Sequence, residues 1–259
     1  MFQQREIPIL RSTALAIEEL RGNEDAVDAH MLVDAMVDDP LMTLKVLRHV
    51  AERRSRRSVT DAETVLSAIV LLGIPPFFNA FSSVSTVEDR LGDLPEALEG
   101  FRAVMQRAHR AARFALGFAV HRMDHDAAVI HEAALLHDFT EMLLWIHAPS
   151  LALEIARRQQ AEPTHRSADV QRDVLHITLN DLQLALMRTW HLPELLVSIS
   201  SEHATPSPQL RNVQLAIRAA RHSSQGWDNP ALPDDLTELG QLLNLSTPHV
   251  QQLLMELDE

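Results

Sequence analysis

Eight residues, His131-Glu-Ala-Ala-Leu-Leu-His-Asp138, set an adjacent histidine and aspartate inside an apolar helical pattern. Ala133, Ala134, Leu135 and Leu136 precede the pair; Met142, Leu143, Leu144 and Trp145 follow it. A polar pair in such a stretch is carried into the interior, where it must be hydrogen-bonded or metal-bound, because burying it bare is costly. Whatever this chain folds into has to bring partners to His137 and Asp138. If the partner is a metal, the chain reads as an enzyme; if it is protein, as a binding module.

The rest of the chain reads as helix. Only 7 of 259 residues are glycine, none is tyrosine, and 4% are aromatic, whereas strands favour β-branched and aromatic side chains. The hydrophobic share of 46% is enough for a sizeable core. A first helical pattern opens at Ile7-Pro8-Ile9-Leu10 and stops at Gly22-Asn23. A second spans Ala26 to Val37, and Pro40 starts a third through Val50. A polar run, residues 52–58, breaks the pattern; Thr60 or Asp61 is then expected to cap a helix that Gly73 stops. Residues 85–97 are polar and carry Gly92 and Pro95, which suggests a boundary between two helical halves, 1–90 and 98–259, of a single unit spanning 1–259. In the second half the spacing predicts a long helix over 98–120, a loop over 121–126 and one His-Asp helix closed by Pro149. Further helices are expected over 151–160, 168–190 and 193–203, then around 213–222 and 236–243, with a last one from Pro248.

Composition also removes functional classes. A net charge of −13 argues against generic nucleic-acid affinity, with a local arginine cluster as the exception through which nucleic-acid-associated regulation stays a third reading. With no cysteine there are no disulfides, thiolate ligands or cysteine nucleophiles. The start, Met1-Phe-Gln-Gln-Arg-Glu, lacks the pattern of a signal peptide, and no apolar run approaches the ~20 residues that span a bilayer. A cytoplasmic protein with no membrane partner is expected.

Five strings in order carry a family resemblance: Ile7-Pro-Ile-Leu10, Asp39-Pro-Leu-Met-Thr-Leu-Lys-Val-Leu47, Ala68-Ile-Val-Leu-Leu-Gly73, Ala133-Ala-Leu-Leu-His-Asp138 and Trp190-His-Leu-Pro193. Each is unspecific alone. In register over about residues 7 to 205, they resemble the HDOD family, all-helical bacterial domains related to the HD phosphohydrolases. The chain departs from the family pattern at three places. His49-Val-Ala stands where Asn-Ser is common, Phe139-Thr140 where a glycine follows His-Asp, and Glu202-His203 where a paired histidine is common. It resembles a divergent member. The fold this implies is all-α, with two packed helical halves, the C-terminal one resembling an HD-type bundle.

The resemblance also implies a ligand set. His109, His137 and Asp138 fall where metal-dependent HD enzymes hold a divalent cation, and three N/O ligands suit Mn²⁺, Fe²⁺ or Zn²⁺. For a fourth ligand only Asp173, Asn180 and Asp181 offer themselves, in no recognisable pattern. The competing expectation is that His109, His137 and Asp138 pin helices together by hydrogen bonding. His131-Glu132 lacks the second histidine of a zincin, since position 135 is leucine. His121 and His125 are expected to be solvated in a loop. Arg53, Arg54, Arg56 and Arg57 form the strong basic cluster, either an anion or nucleotide-phosphate site or a solvated loop. The expectation is a non-catalytic signalling module acting through protein partners in two-component or cyclic-dinucleotide signalling. No catalytic residue and no cofactor are expected, and the groove between the halves near 85–97 is the expected partner surface. The alternative is a metal-dependent phosphohydrolase or phosphodiesterase acting on a nucleotide or cyclic dinucleotide.

Overall fold

The computed structural model describes residues 6–53, 62–162, 165–201, 204–224 and 226–258. Among them the regular structure is helical, with an isolated parallel bridge between Ile9 and Thr86. In chain order the helices are α1 (Arg11–Arg21), α2 (Ala29–Met36), α3 (Pro40–Arg53), α4 (Val65–Leu72), α5 (Ile74–Ala80), α6 (Val87–Leu91), α7 (Pro95–Arg122) and α8 (Ala127–Leu135). Then follow α9 (Phe139–His147), α10 (Pro149–Ala161), α11 (Ser167–Leu175), α12 (Leu179–Thr189), α13 (Glu194–Ile199), α14 (Pro208–His222), α15 (Leu232–Leu243) and α16 (Thr247–Asp258). The all-α expectation holds.

The chain forms two compact units, and neither is continuous in sequence. One joins Met1–Ala103 to Phe139–Pro193; the other joins Val104–Asp138 to Glu194–Glu259. The polar stretch 85–97 is therefore not where the units divide. Thr86 caps α6 by accepting from the Asp89 amide, Val87 and Leu91 are buried, and α7 begins at Pro95. Residues 139–193 return to the N-terminal unit because α9 is apolar on nearly every side. It packs against α3, α6, α10 and α12.

Two long helices expected from periodicity are broken by local chemistry. The His-Asp helix stops at Leu135 and restarts at Phe139, which leaves Leu136, His137 and Asp138 in a turn. The 168–190 helix breaks at His176, which adopts a left-handed conformation (φ 59°) before Thr178 caps α12. At α4 the cap is Thr64, in a reciprocal capping box with Ser67. The expected caps Thr60 and Asp61 lie outside the described residues.

In the first unit, Asp39 is fully buried at the start of α3 and takes up three backbone amides. Oδ1 accepts from Leu41 at 3.0 Å and Met42 at 2.9 Å; Oδ2 accepts from Leu10 at 2.7 Å. One carboxylate thus caps α3 and ties down the segment before α1. Burial pushes its carboxyl up, against these amide hydrogen bonds and one from Thr13. Lys45, six residues further along the chain, holds the same segment by donating to the Ile7 carbonyl at 2.9 Å.

The second unit packs small against large. Phe114 and Phe118 stack with centroids 6.3 Å apart, and alanines of α7, α8 and α14 let these helices approach. Gly117 sits close under Leu257: a Cβ there would lie 2.4 Å from a terminal methyl of that leucine, which would have to shift. At the end of α7 the Met123 amide bonds the Val120 carbonyl and the Asp124 amide the Ala119 carbonyl, so Met123 sits at φ 57° in the position that favours glycine.

Two stability outcomes follow from these residues. Asp39→Ala strips three amides of their acceptor and should lower stability by about 2–4 kcal/mol in denaturant unfolding, with Asp39→Asn milder. Met123→Gly should raise stability by about 1 kcal/mol, because Met123 is 84% exposed and its left-handed backbone is strained. A thermal melt unchanged in either alanine or glycine variant would contradict the corresponding assignment.

Candidate functional site

The turn between α8 and α9 presents Asp138 to helix α7 of the same unit. Arg107 donates from Nε at 2.8 Å to Asp138 Oδ2, and its Nη2 stands 2.7 Å from the same oxygen. His137 Nε2 lies 2.9 Å from that oxygen too, while His137 Nδ1 meets the Ala134 carbonyl at 2.6 Å. The aspartate side chain is only 14% exposed and the histidine 4%. Burial alone would raise the Asp138 carboxyl. His137 beside it, then Arg107 and Arg221 of α14, overcome burial and hold it far below the usual carboxylate range.

This geometry bears directly on the implied metal. The Arg107 guanidinium takes up Oδ2, one of the two carboxylate oxygens through which Asp138 would meet a divalent ion. His109 lies on α7 two residues beyond Arg107, a rotation of about 200° around the helix. The position from which α7 reaches the carboxylate is 107, and it carries an arginine. Asp173 and Asp181 belong to the other unit and are exposed; Asp181 accepts the Thr178 hydroxyl at 2.7 Å as part of the α12 cap. Among the described residues no group of three or more histidines and carboxylates is arranged to hold a metal ion. The residues present do not fit the divalent cation that the HD resemblance implies.

The remaining candidates scatter. Arg53 is exposed at the end of α3, and Arg54, Arg56 and Arg57 lie outside the described residues, as do Glu202 and His203. His121 belongs to α7, not to a loop, and its Nε2 meets the Leu243 carbonyl at 3.2 Å; His125 is exposed. Trp190 is core, with the Arg48 guanidinium 4.7 Å from its ring centroid and Phe139 at 5.8 Å. Sequence reading missed Arg107, although it sits beside the apolar stripe Val104, Ala108 and Ala111, a setting that holds an arginine partly buried. It also missed the fully buried Asp235, paired at 2.5 Å with both Arg218 and His222. Arg218 and His222, four apart on α14, face one partner, as helical spacing allows.

The Asp138 pairing has a pH signature. In an unfolded chain this carboxyl titrates near about 3.9, and in the fold it titrates lower. A depressed carboxyl stabilises the fold fully above pH ~4, and that contribution drains away as pH falls below it. Asp138→Asn should therefore melt several degrees below wild type at pH 7, a loss of about 1–3 kcal/mol. The gap should narrow as pH falls from about 5 towards 2.5. A gap constant over that range would contradict the assignment.

The comparisons now have a geometry to stand on. The chain is similar over nearly its whole length to the MmoQ response regulator of Methylococcus capsulatus, with a TM-score of 0.72 at 19% identity, covering 98% of this chain and 99% of that one. It is also similar to a virulence factor of Campylobacter jejuni (TM-score 0.64, 14% identity, 99% and 96% covered). A third similar structure is an HDOD domain protein of Geobacter sulfurreducens (0.50, 14%, 98% and 93%). At these identities the likeness is one of fold. Comparison with curated proteins returns no match. The family model of the HDOD domain matches residues 7–206, which include the turn carrying His137 and Asp138, and the chain belongs to the HDOD family.

Proposed function

We propose that this chain is a non-catalytic signalling and regulatory module that works through protein partners. The observation that carries this reading is the state of Asp138. Arg107 donates to its carboxylate, and His137 Nε2 stands 2.9 Å from the same oxygen. A metal-dependent phosphohydrolase acidifies a metal-bound water and polarises a phosphoryl group, and both roles need an open coordination position. An arginine-bound carboxylate instead stiffens the junction between α8 and α9. The fold shared with a response regulator supports a place in bacterial signal transduction, and a cytoplasmic setting goes with that reading. No helix among the described residues is long and apolar enough to cross a membrane.

The test is turnover. Incubation of the purified protein with cyclic dinucleotides and nucleoside phosphates, each with Mn²⁺, should release no product. Hydrolysis that depends on the metal and disappears in His109→Ala would overturn the proposal in favour of a phosphohydrolase.

A further inference from the structure

Helix α2 packs against both α1 and α4, and these three helices expose large apolar side chains that a solvated surface does not need. On α4, Val70 is 65% exposed and Leu71 is exposed beside it; on α1, Leu15 is 66% exposed; Met31 of α2 and Val37 at its end are exposed as well. Helix α4, Val-Leu-Ser-Ala-Ile-Val-Leu-Leu, is apolar nearly all round but buries only Val65, Ala68 and Ile69. A helix apolar on all faces is ordinarily covered on all faces. Scattered exposed leucines are normal on a protein surface; a concentration on packed neighbours marks an interaction site.

The charges near these side chains are mostly acidic. Between Ser12 and Leu44 the sequence holds eight acidic residues and a single Lys or Arg, Arg21. Arg21 is already paired with Glu18 at 3.0 Å. Glu18, Glu19, Asp25, Asp28 and Asp34 are exposed on or beside α1 and α2. From Ala62 to Val87, a stretch that includes α4 and α5, there is no Lys or Arg at all. An apolar surface edged with carboxylates repels nucleic acid and anionic lipid and attracts a cation-bearing apolar partner.

We propose that the α1–α2–α4 surface docks an amphipathic helix that carries leucine-like side chains on one face and Lys or Arg on its flanks. The inference rests on the reading of the chain as an interaction module and names the chemistry of its partner. The exposed apolar side chains supply binding and the carboxylates set orientation and encounter rate, the division found where amphipathic helices lie in grooves.

The experiment uses the full chain and a fluorescein-labelled 18-residue helix of leucine and lysine at helical spacing, with a leucine–glutamate helix as control. Anisotropy titrations at low salt should show the lysine helix binding at least about tenfold tighter than the glutamate helix. Val70→Ser/Leu71→Ser should weaken the lysine helix about tenfold. Asp25→Asn/Asp28→Asn/Asp34→Asn should weaken it by a similar factor; asparagine still caps α2 at position 28. Because these side chains are exposed, the variants should melt like wild type. Asp173→Asn/Glu194→Gln/Asp234→Asn, which removes as many charges elsewhere, should bind as wild type does. Equal weakening in that last variant would reduce the effect to net charge and overturn the proposal. Two further outcomes would also overturn it. A wild-type dimer that Val70→Ser/Leu71→Ser dissociates in light scattering would assign the surface to a second copy. Binding that appears only after Arg53, Arg54, Arg56 and Arg57 become glutamine would assign it to the chain's own arginine segment. Metal-dependent turnover would instead strike the functional reading and leave the peptide result to be judged separately.

Discussion

A carboxylate taken almost out of water has to be neutralised, and the second unit is arranged around that requirement. Asp138 draws Arg107 from α7, His137 from its own turn and the field of Arg221 from α14. Three elements far apart in sequence are thereby committed to one place. The helix that would otherwise run on through residues 136–138 breaks there, since a continuous α-helix would aim adjacent side chains about 100° apart and could not bring His137 Nε2 onto Asp138 Oδ2. Removing any one member leaves a charge stranded, so the cluster behaves as a unit rather than as separable pairs.

On the reading proposed above, this site differs from that of the HD phosphohydrolases in the identity of one cation. Where a metal can exchange ligands and hold a water, a guanidinium offers a fixed set of N–H donors and no vacant position. The carboxylate that could have been a ligand becomes a structural anion. On the reading proposed above, a chain can keep the His-Asp dipeptide and the fold around it while its function moves from turnover to recognition. The same logic appears at Asp235, where Arg218 and His222 satisfy a fully buried carboxylate with no suggestion of a ligand. Buried aspartates in this protein are fasteners: Asp39 holds backbone amides, while Asp138 and Asp235 hold cationic side chains.

The docking surface proposed on the N-terminal helices costs the first unit little. Val70 and Leu71 add nothing to the core of the first unit, which Val65, Ala68 and Ile69 already serve. An apolar face left open invites aggregation. In the proposed docking, the exposed carboxylates beside it would meet the partner's cations, while the buried aspartates serve as fasteners.

Much of this was legible in residues alone. Helical periodicity, scarce glycine and the absence of tyrosine were sufficient for the all-α class, because the local period of apolar residues sets secondary structure. Five strings in register were sufficient for the family, and the apolar flanks of His137-Asp138 required that the pair find partners. What those partners are was decided by tertiary structure. A pattern along the chain does not say which residue of α7 faces the turn, and two positions separate a histidine ligand from an arginine clamp. Nor does a polar stretch mark a boundary when its few apolar residues, Val87 and Leu91, are the ones that pack. The return of residues 139–193 to the first unit follows from an all-round apolar α9, which must be covered from several sides at once, and only the folded chain supplies those sides.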